Sequence, residues 1–515
     1  MKVTTFICRF FKIAAWTLMG AVLLLGVVLM LVYSPWSQDY LRRYVVTVMN
    51  KGDMKMDIES LKLHFPLDIS VTGLALDMPG QSIAAGRLDA SVRPLSLLRG
   101  HASISHADVE DGRFVIGAQD SAMYMTIDGR DISLRDADVA LASMDINLGE
   151  GTIRGGRVNM TLNTDTAASD TTAAASVRMS IAVRRLVLDD FAYTMRMLPT
   201  IDSLGAVIRA GEASDIAIDL YGQTIGVRTF TGSGLDVAYI APDSATVASA
   251  PVAAADTANA ATVPWTIKID SIGFDRSKAL YTTRGVKPAQ GLDFGYIEVD
   301  SLAIGVKDFY NRAATVRVPL HVSGTERCGM TIDASGTLAV DSLGTNLIGF
   351  KVRTPGGTGL FFNALIGMGN MTTEPSTPLM LHLDGEIARR DALNMFPAFA
   401  TYLLPLPQNA PVKVHADVEG TAGNMTVEDI SVNVNGTARL SAKGRVENVF
   451  DAAHIGGRLQ LSGALLDLNR FKPILFDKKA AAEFNIPRTT FSGYAEMNSG
   501  NILGKLEART EQGKI

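Results

Sequence analysis

The chain has 515 residues, enough for about three ordinary domains or for one extended repetitive body. Its residues are 47% hydrophobic and 7% aromatic, and its formal net charge is −5. An acidic chain without a long basic run is not expected to bind nucleic acid as its main partner. Its two cysteines are too few for a disulfide framework or a cysteine-rich metal cluster.

The N-terminus has the pattern of a membrane anchor. Residues 13–33 carry no charged side chain and are long enough to cross the ~30 Å hydrocarbon core of a bilayer as a helix. Lys2, Arg9 and Lys12 precede this segment, so the tail at 1–12 is expected to stay in the cytoplasm. A cleaved signal peptide is the alternative, but its apolar core would be shorter and would end in an A-x-A-like site. We therefore predict a single-pass transmembrane helix in the inner membrane, with the bulk of the chain in the periplasm.

A second helix is predicted directly after the anchor, at residues 34–50. Ser34 is suited to its N-cap, and Pro35 to its first position. Apolar and aromatic residues then recur at helical spacing, which favours a juxtamembrane helix lying in the interface. Tyr33 and Trp36 fall where an aromatic belt at the membrane interface is expected. The same helix could also cover one end of the β-structure that follows.

Three β-repeat regions are predicted after this helix, at 51–162, 177–239 and 264–515. In each of them short alternating segments are separated by Gly and Asp-Gly signals about every 8–12 residues, which indicates many short antiparallel strands. A flexible loop at 163–176 and a low-complexity linker at 240–263 interrupt the pattern, because both have few large apolar residues. Their Asp-Ser/Thr-small triplets resemble acceptor sites for O-glycans. The expected fold class is all-β with few short helices.

The strand alternation slips by one residue at a recurrent place. In "IKIDSIGFD", residues 267–275, two polar residues separate Ile269 from Ile272 where one would continue the pattern. An extra residue in one strand would form a β-bulge, and a sharp bend between two short strands would explain the pattern equally well. Either origin makes the kinked strand a repeated unit. Equivalent slips lie at 59–60, 184–185, 300–301, 428–429 and, in a weaker copy, 341–342.

No motif for catalysis is found. The histidines lack metal-binding spacing, no G-x-S-x-G elbow is present, and the glycine-rich stretches at 356–359 and 367–369 lack the Lys-Ser/Thr of a phosphate-binding loop. Cys328 is expected to be a small apolar filler rather than a reactive thiol. We therefore expect no enzymatic activity, no metal and no cofactor. A β-helical carbohydrate-active enzyme is a less favoured alternative.

Alternating strands have one apolar face, and this chain has few helices to cover it. A second sheet could bury the face completely, or the sheet could curve into a trough whose apolar inside binds a ligand. In a membrane-anchored protein the natural ligands of such a groove are phospholipid acyl chains. For each candidate residue an ordinary packed core is the alternative interpretation. The candidate groove residues are Leu61, Leu63, Leu186, Leu188, Ile272, Phe274, Leu302, Ile304, Ile430 and Val432.

Three stretches resemble the AsmA-like superfamily, and in particular its TamB-type translocation and assembly module proteins from Bacteroidetes. They are the anchor followed by "SPW…YLRRYVVTVMN", the opening repeat "MKMDIESLKLHFPLDISVTGLALDMPG", and later units such as "VHADVEGTAGNMTVEDISVNVNG". The resemblance implies an elongated curved β-groove, or β-taco, that carries phospholipid to the outer membrane. It equally implies, as the alternative, a scaffold that helps outer-membrane proteins to insert or be secreted.

TamB-type proteins are usually longer and end in a domain that docks an outer-membrane barrel partner. This sequence ends at "GKLEARTEQGKI", in the middle of the repeat pattern. We therefore expect it to correspond to an N-terminal portion, with the β-repeat continuing beyond residue 515, or else to a shorter AsmA-type member. A barrel partner would then be contacted through the missing C-terminal region.

Overall fold

The computed structural model groups the chain into two compact units. Unit 1 comprises Met1–Leu198 with Asp219–Tyr221, and unit 2 comprises Pro199–Ile218 with Gly222–Ile515. The residues that the structure describes are 33–50, 54–65, 67–97, 99–118, 123–140, 142–143, 145–163, 179–198, 201–241, 265–312, 315–368, 371, 374–408, 410–451, 453–467, 469–472, 485, 487–499, 501–511 and 513–514.

The predicted cytoplasmic tail lies outside the described residues, as do the predicted anchor apart from Tyr33 and most of both predicted linkers. Among the residues that are described, no helix combines the length and the apolar character needed to cross a bilayer.

Unit 1 begins with helix α1, Pro35–Met49, and a short helix α2, Pro94–Leu97, follows its third strand. Each strand from β1 to β6 pairs antiparallel with the next one, and β6 pairs in parallel with β7. The strands are β1 Lys55–His64, β2 Asp68–Met78, β3 Gln81–Val92, β4 His101–Ile116, β5 Met123–Ala140, β6 Asp145–Asn163 and β7 Ser180–Leu198.

Unit 2 is also built of strands. β9 and β10 pair in parallel, and every later strand pairs antiparallel with the one before it. The strands are β8 Ile201–Asp219, β9 Thr224–Ala241, β10 Thr266–Thr283, β11 Tyr296–Arg312, β12 Thr315–Glu326, β13 Thr331–Val340, β14 Gly344–Arg353, β15 Gly359–Gly367, β16 Pro378–Ile387, β17 Val412–Thr421, β18 Asn424–Val434, β19 Ala438–Glu447, β20 Gly456–Leu465, β21 Thr489–Asn498, β22 Asn501–Thr510 and β23 Gly513–Lys514.

Helices are few and short in the described part of unit 2. They are α3 Arg389–Met395, α4 Ala400–Leu403 and the 3₁₀ turns Pro397–Phe399 and Asn469–Phe471. The prediction of an all-β fold with few short helices is confirmed. Its physical basis is the period-two alternation, because only an extended strand places alternate side chains on one face.

At three of the six slips the paired strands keep their register. In β10, Ile269 still faces Phe309 and Ser271 still faces Lys307, on either side of Asp270. In an antiparallel pair the residue numbers of two facing residues add up to a constant, and a bulge would have changed that sum by one. The slip is therefore a bend and not an insertion. The other two slips of this kind lie at 59–60 and 184–185.

Left-handed backbone on a neighbouring strand accompanies two of these bends. Asp308, with φ 54°, lies between the two residues of β11 that face Ile269 and Ser271. Gly73, with φ 61°, lies opposite Glu59, and a Cβ added to it would approach the Cβ of Glu59 to 2.8 Å. A residue in left-handed backbone bends the strand locally without adding a residue. The alternation of apolar and polar side chains therefore resumes with the strand register unchanged.

The remaining three slips have other origins. The pairing of β18 shifts between Val427 and Ile430, so the polar pair at 428–429 is a true bulge. The slip at 300–301 also coincides with a register shift, between β11 and β12. The weaker copy at 341–342 was wrongly predicted as a kinked strand. It is the turn between β13 and β14, where the Asp341 carboxylate accepts hydrogen bonds from the two backbone N–H groups that follow the pair.

Asp308→Val is expected to destabilise unit 2 by about 1–2 kcal/mol, because a β-branched side chain is disfavoured in left-handed backbone. Asp308→Gly is the matched control, and we expect it to be neutral or slightly stabilising since glycine adopts this backbone freely. Urea unfolding followed by circular dichroism measures both. An equal loss of unfolding free energy in the two variants would show that the Asp308 carboxylate, and not its backbone conformation, stabilises the fold at this position.

Helix α1 covers the outer edge of β1. The Ser34 side chain accepts a hydrogen bond from the Ser37 N–H and caps the helix, as its sequence indicated. Gln38 Nε2 donates to the Leu63 carbonyl at 2.9 Å, and Arg42 donates to the Ile58 carbonyl at 2.9 Å. These side chains occupy carbonyl groups that an edge strand would otherwise offer to another strand.

Asp391 has a structural role that differs from helix capping. Asp391 lies inside α3, and the cap position is Ala388 without a side-chain hydrogen bond. The buried Asp391 carboxylate accepts hydrogen bonds from the hydroxyls of Thr354 and Thr358. Gly356 passes so close that an added Cβ would collide with this carboxylate. Asp391 therefore joins α3 to the turn between β14 and β15.

Candidate functional site

Strand pairing gathers the apolar residues of unit 1 into transverse rows. A row consists of residues that face one another across successive strands, and their side chains therefore lie on one face of the sheet. The first row consists of Leu61, Val71, Leu88, Val109, Ile132, Ile153 and Leu188. The second row consists of Leu63, Ile69, Ala90, Ala107, Leu134, Gly151 and Leu186. We call these two rows the apolar face of unit 1.

A longer row crosses unit 2 from β9 to β22. All of its positions are apolar or glycine. They are Gly232, Phe274, Ile304, Val322, Ala334, Val352, Leu360, Gly385, Val414, Val432, Leu440, Gly463, Phe491 and Ala508.

A second row in unit 2 runs beside it from β15 to β22. It consists of Phe362, Leu383, Ala416, Ile430, Ala442, Leu461, Gly493 and Leu506. We call the two rows together the apolar face of unit 2. The positions between them point to the opposite side of the sheet and include polar residues such as Asp384, His415 and Ser462.

The apolar face of unit 2 changes from buried to open along the ladder of strands. Phe274 in β10 is 4% exposed, whereas Leu440 in β19 is 44% exposed and Leu506 in β22 is 56% exposed. Ile430 in β18 is 37% exposed. Large aliphatic side chains sealed inside a sandwich would be almost fully buried. The later strands therefore present a connected apolar surface that the described residues do not fully cover.

The predicted groove residues fall into these rows although they are far apart in sequence. Leu61 shares a row with Leu188, and Leu63 shares a row with Leu186. In unit 2 the long row contains Phe274, Ile304 and Val432, and the second row contains Ile430.

The other two candidates lie next to the long row. Ile272 is two residues from Phe274 along β10, and Leu302 is two residues from Ile304 along β11, so each keeps the orientation of its neighbour. Leu302 is 7% exposed and faces the fully buried Ser277. Leu188, Phe274 and Leu302 are thus packed as protein core, and the other seven candidates are half-buried or exposed.

A cavity of about 450 Å³ opens beside Ile272. Ile272, Val306 and Leu320 face one another across β10, β11 and β12 and supply apolar lining, while Lys307 and His321 also contribute to its wall. The volume lies within the range of about 300–1,000 Å³ that is usual for small-ligand sites. This cavity extends the apolar surface toward the buried end of the long row.

Sequence reasoning missed most members of the rows. Alanines and glycines such as Ala416 and Gly463 complete them but contribute little to a hydrophobic pattern. The signal that could have revealed them is their position, since each lies two residues from a larger apolar neighbour on its own strand.

The two interface candidates lie at the start of unit 1. The ring of Tyr33 packs edge-on against Phe65, with centroids 6.3 Å apart. Trp36 is 77% exposed and stacks on Tyr40.

The described residues contain no group of three or more His, Cys, Asp or Glu side chains arranged to hold a metal ion. Burial, assisted by a hydrogen bond with Glu326, raises the pKa of the Cys328 thiol to about 11. This thiol is therefore protonated at neutral pH and is a poor nucleophile.

A cluster of histidines and carboxylates lies on the polar side of β16, β17 and β18. His415 Nδ1 is 2.6 Å from Asp384 Oδ1, and the rings of His382 and His415 lie 5.9 Å apart. Asp417 faces Asp429 across the strand pair, and like charges in this position repel. The hydrogen bond with Asp384, and the charges of Asp384, Asp429 and Asp417, raise the pKa of His415 despite its partial burial.

We expect the His415 interaction to stabilise this part of unit 2 at acidic pH. Because the pKa of His415 in the folded protein is above its ordinary value of 6.5, the stabilisation is complete below that value. It is lost as the pH rises through the folded pKa. NMR titration of labelled histidines measures the shift, and Asp384→Asn should lower the pKa of His415. A His415 pKa at or below 6.5 in the unmodified protein would contradict the assignment.

No protein-family model matches this sequence, and no curated protein matches it.

Proposed function

We propose that this protein is anchored in the inner membrane and binds phospholipid acyl chains on its apolar faces, guiding them through the periplasm toward the outer membrane. The single observation that carries the proposal is the long row of unit 2. At about 4.8 Å per strand, its path along the ladder from β9 to β22 is about 60 Å. A connected apolar surface on this scale is a typical mark of a binding site.

The chemistry of the apolar faces fits acyl chains. Their rows contain aliphatic side chains, phenylalanine and glycine, and the paired positions include no charged residue. Such a surface contacts a hydrocarbon chain through dispersion and removes it from water, without requiring a directed polar contact. We propose a groove, similar to a β-taco, as the form in which these faces hold lipid.

The position of the chain is proposed from its N-terminus. Residues 13–33 have the length and composition of a membrane-spanning helix, and the cations before them favour a cytoplasmic tail. The juxtamembrane helix α1 then begins unit 1 with an exposed tryptophan, a residue favoured at membrane interfaces.

Mass spectrometry of the purified full chain tests the proposal. We expect phospholipid to copurify in a stable ratio that survives detergent exchange. The control is a single-pass membrane protein of similar size, purified in the same way. Phospholipid no more abundant than in that control would refute acyl-chain binding.

A further inference from the structure

Helix α1 has two chemically different sides. One side is tied to β1, through the hydrogen bonds of Gln38 with the Leu63 carbonyl and of Arg42 with the Ile58 carbonyl. Two separate bonds at positions four residues apart fix the rotation of the helix about its axis. The opposite side of α1 is therefore held outward.

That outward side is a stripe of large apolar side chains. Trp36, Tyr40 and Tyr44 recur every four residues, and their exposed fractions are 77%, 62% and 57%. Their rings stack in series, with centroids 6.3 Å and 6.5 Å apart. Val48, which is also exposed, continues the same side by one turn. We call these four residues the aromatic stripe.

We propose that the aromatic stripe inserts into the headgroup region of a phospholipid bilayer and holds β1 alongside the membrane surface. The inference rests on the membrane anchor of the proposed function and adds the surface by which the β-structure is oriented.

The neighbouring sequence favours a bilayer over a protein partner. Residues 13–33 carry no charge, and a helix of this length spans about 30 Å at 1.5 Å per residue. α1 begins at Pro35, immediately after this segment, so its first turn must lie at the level of the headgroups if the segment crosses the bilayer. The residue types agree, because Trp and Tyr combine an apolar ring with a polar group suited to that depth.

The charge beside the stripe is also compatible with a lipid surface. Arg43 is highly exposed and pairs with Asp39 at 2.8 Å. Its long apolar stem can lie along the membrane while the guanidinium contacts phosphate groups.

The arrangement has a consequence for the apolar face of unit 1. Leu61 and Leu63 begin its two rows, and the carbonyl of Leu63 is bonded directly to α1. With the aromatic stripe in the headgroup region, both rows begin at the bilayer surface. Acyl chains leaving the membrane would then meet β1 first.

Tryptophan quenching in vesicles tests the inference on the full chain. The protein has three tryptophans, so the double variant Trp16→Phe, Trp265→Phe leaves Trp36 as the only emitter. It is reconstituted in phosphatidylethanolamine–phosphatidylglycerol vesicles whose acyl chains are brominated near the headgroup. We expect bromine to remove more than about half of the Trp36 emission, and iodide in the water to remove little.

A matched control replaces all three native tryptophans by phenylalanine and adds Ala142→Trp. Ala142 is exposed in the turn between β5 and β6, four strands along the ladder from β1, which is about 19 Å. Its emission should respond to iodide and not to brominated lipid.

Trp36 emission that brominated lipid does not reduce would overturn the inference. This holds whether Trp36 is accessible to iodide or is shielded by a protein partner. Phospholipid that copurifies with the chain in detergent reports on the apolar faces independently of Trp36. An unquenched Trp36 with bound phospholipid therefore refutes only the orientation by the aromatic stripe. A full chain that does not float with the vesicles refutes both the stripe and the anchor.

Discussion

Replacing Leu440 by aspartate is expected to remove most of the copurifying phospholipid while leaving the fold of unit 2 intact. Leu440 lies in the long row between Val432 and Gly463, and it is 44% exposed. A carboxylate there can keep much of its hydration, so it avoids the full penalty of burying an unpaired charge. It also places a negative charge on a surface that hydrocarbon would otherwise cover.

Gln460→Asp is the matched control for Leu440→Asp. Gln460 is exposed on the neighbouring strand β20, and it points to the polar side of the sheet, where it faces Lys443. The control therefore introduces the same charge in the same region without touching the apolar face. Circular dichroism checks the fold of both variants, and phospholipid per protein is measured by mass spectrometry. Loss of lipid from both variants, or from neither, would contradict binding at the long row.

Leu302→Asp distinguishes packed core from open surface. Leu302 is 7% exposed and faces Ser277, which is fully buried. A carboxylate buried at this site would lose its hydration, so we expect the free energy of unfolding to fall by several kcal/mol and the variant to fail to fold. The same substitution thus has opposite consequences at Leu302 and at Leu440.

The sequence was sufficient to predict strands and helix α1, because both depend on local pattern. Alternation fixes which face of a strand is apolar, and Ser34 followed by Pro35 marks the start of α1 through the chemistry of capping. The role of Asp391 was not predictable in this way. Its hydrogen-bond partners Thr354 and Thr358 are distant in sequence, and a carboxylate near a helical turn suggests a cap in the absence of that information.

The origin of the kinks also depends on contacts that one strand does not encode. The polar pairs at 270–271 and 428–429 have the same pattern, yet the first is a bend with constant register and the second is a bulge. The difference lies in the partner strand, where Asp308 adopts left-handed backbone opposite the first pair. An alternating pattern in one strand shows which of its residues are apolar, but it does not show the sign of φ in the neighbouring strand.

The rows were not predictable for a related reason. Leu61 and Leu188 are individually recognisable as apolar strand residues, but their common row depends on six successive pairings, one of which is parallel. Each pairing has its own register, and a single shift of one residue would move a side chain to the opposite face. Candidate residues could therefore be named from the sequence, while the surface that they form required the structure.

Phe274→Ala is expected to destabilise the β9–β11 region by roughly 3–5 kcal/mol, the usual cost of removing a buried aromatic ring. Phe274 is 4% exposed, and its ring packs edge-on against Phe230 with centroids 5.0 Å apart. It also fills the space above Gly232, where an added Cβ would approach the ring to 2.7 Å. Hydrogen exchange of peptides from β9, β10 and β11 measures the local loss.

Phe294→Ala is the matched control for this core position. Phe294 lies between β10 and β11 and is 71% exposed, so its removal should change stability by no more than about 0.5 kcal/mol. A large loss at Phe274 with phospholipid still bound would place the lipid on the open strands beyond β11. If Phe274→Ala reduced stability no more than Phe294→Ala, the ring of Phe274 would not pack against protein. The long row would then be open to solvent from its first strand.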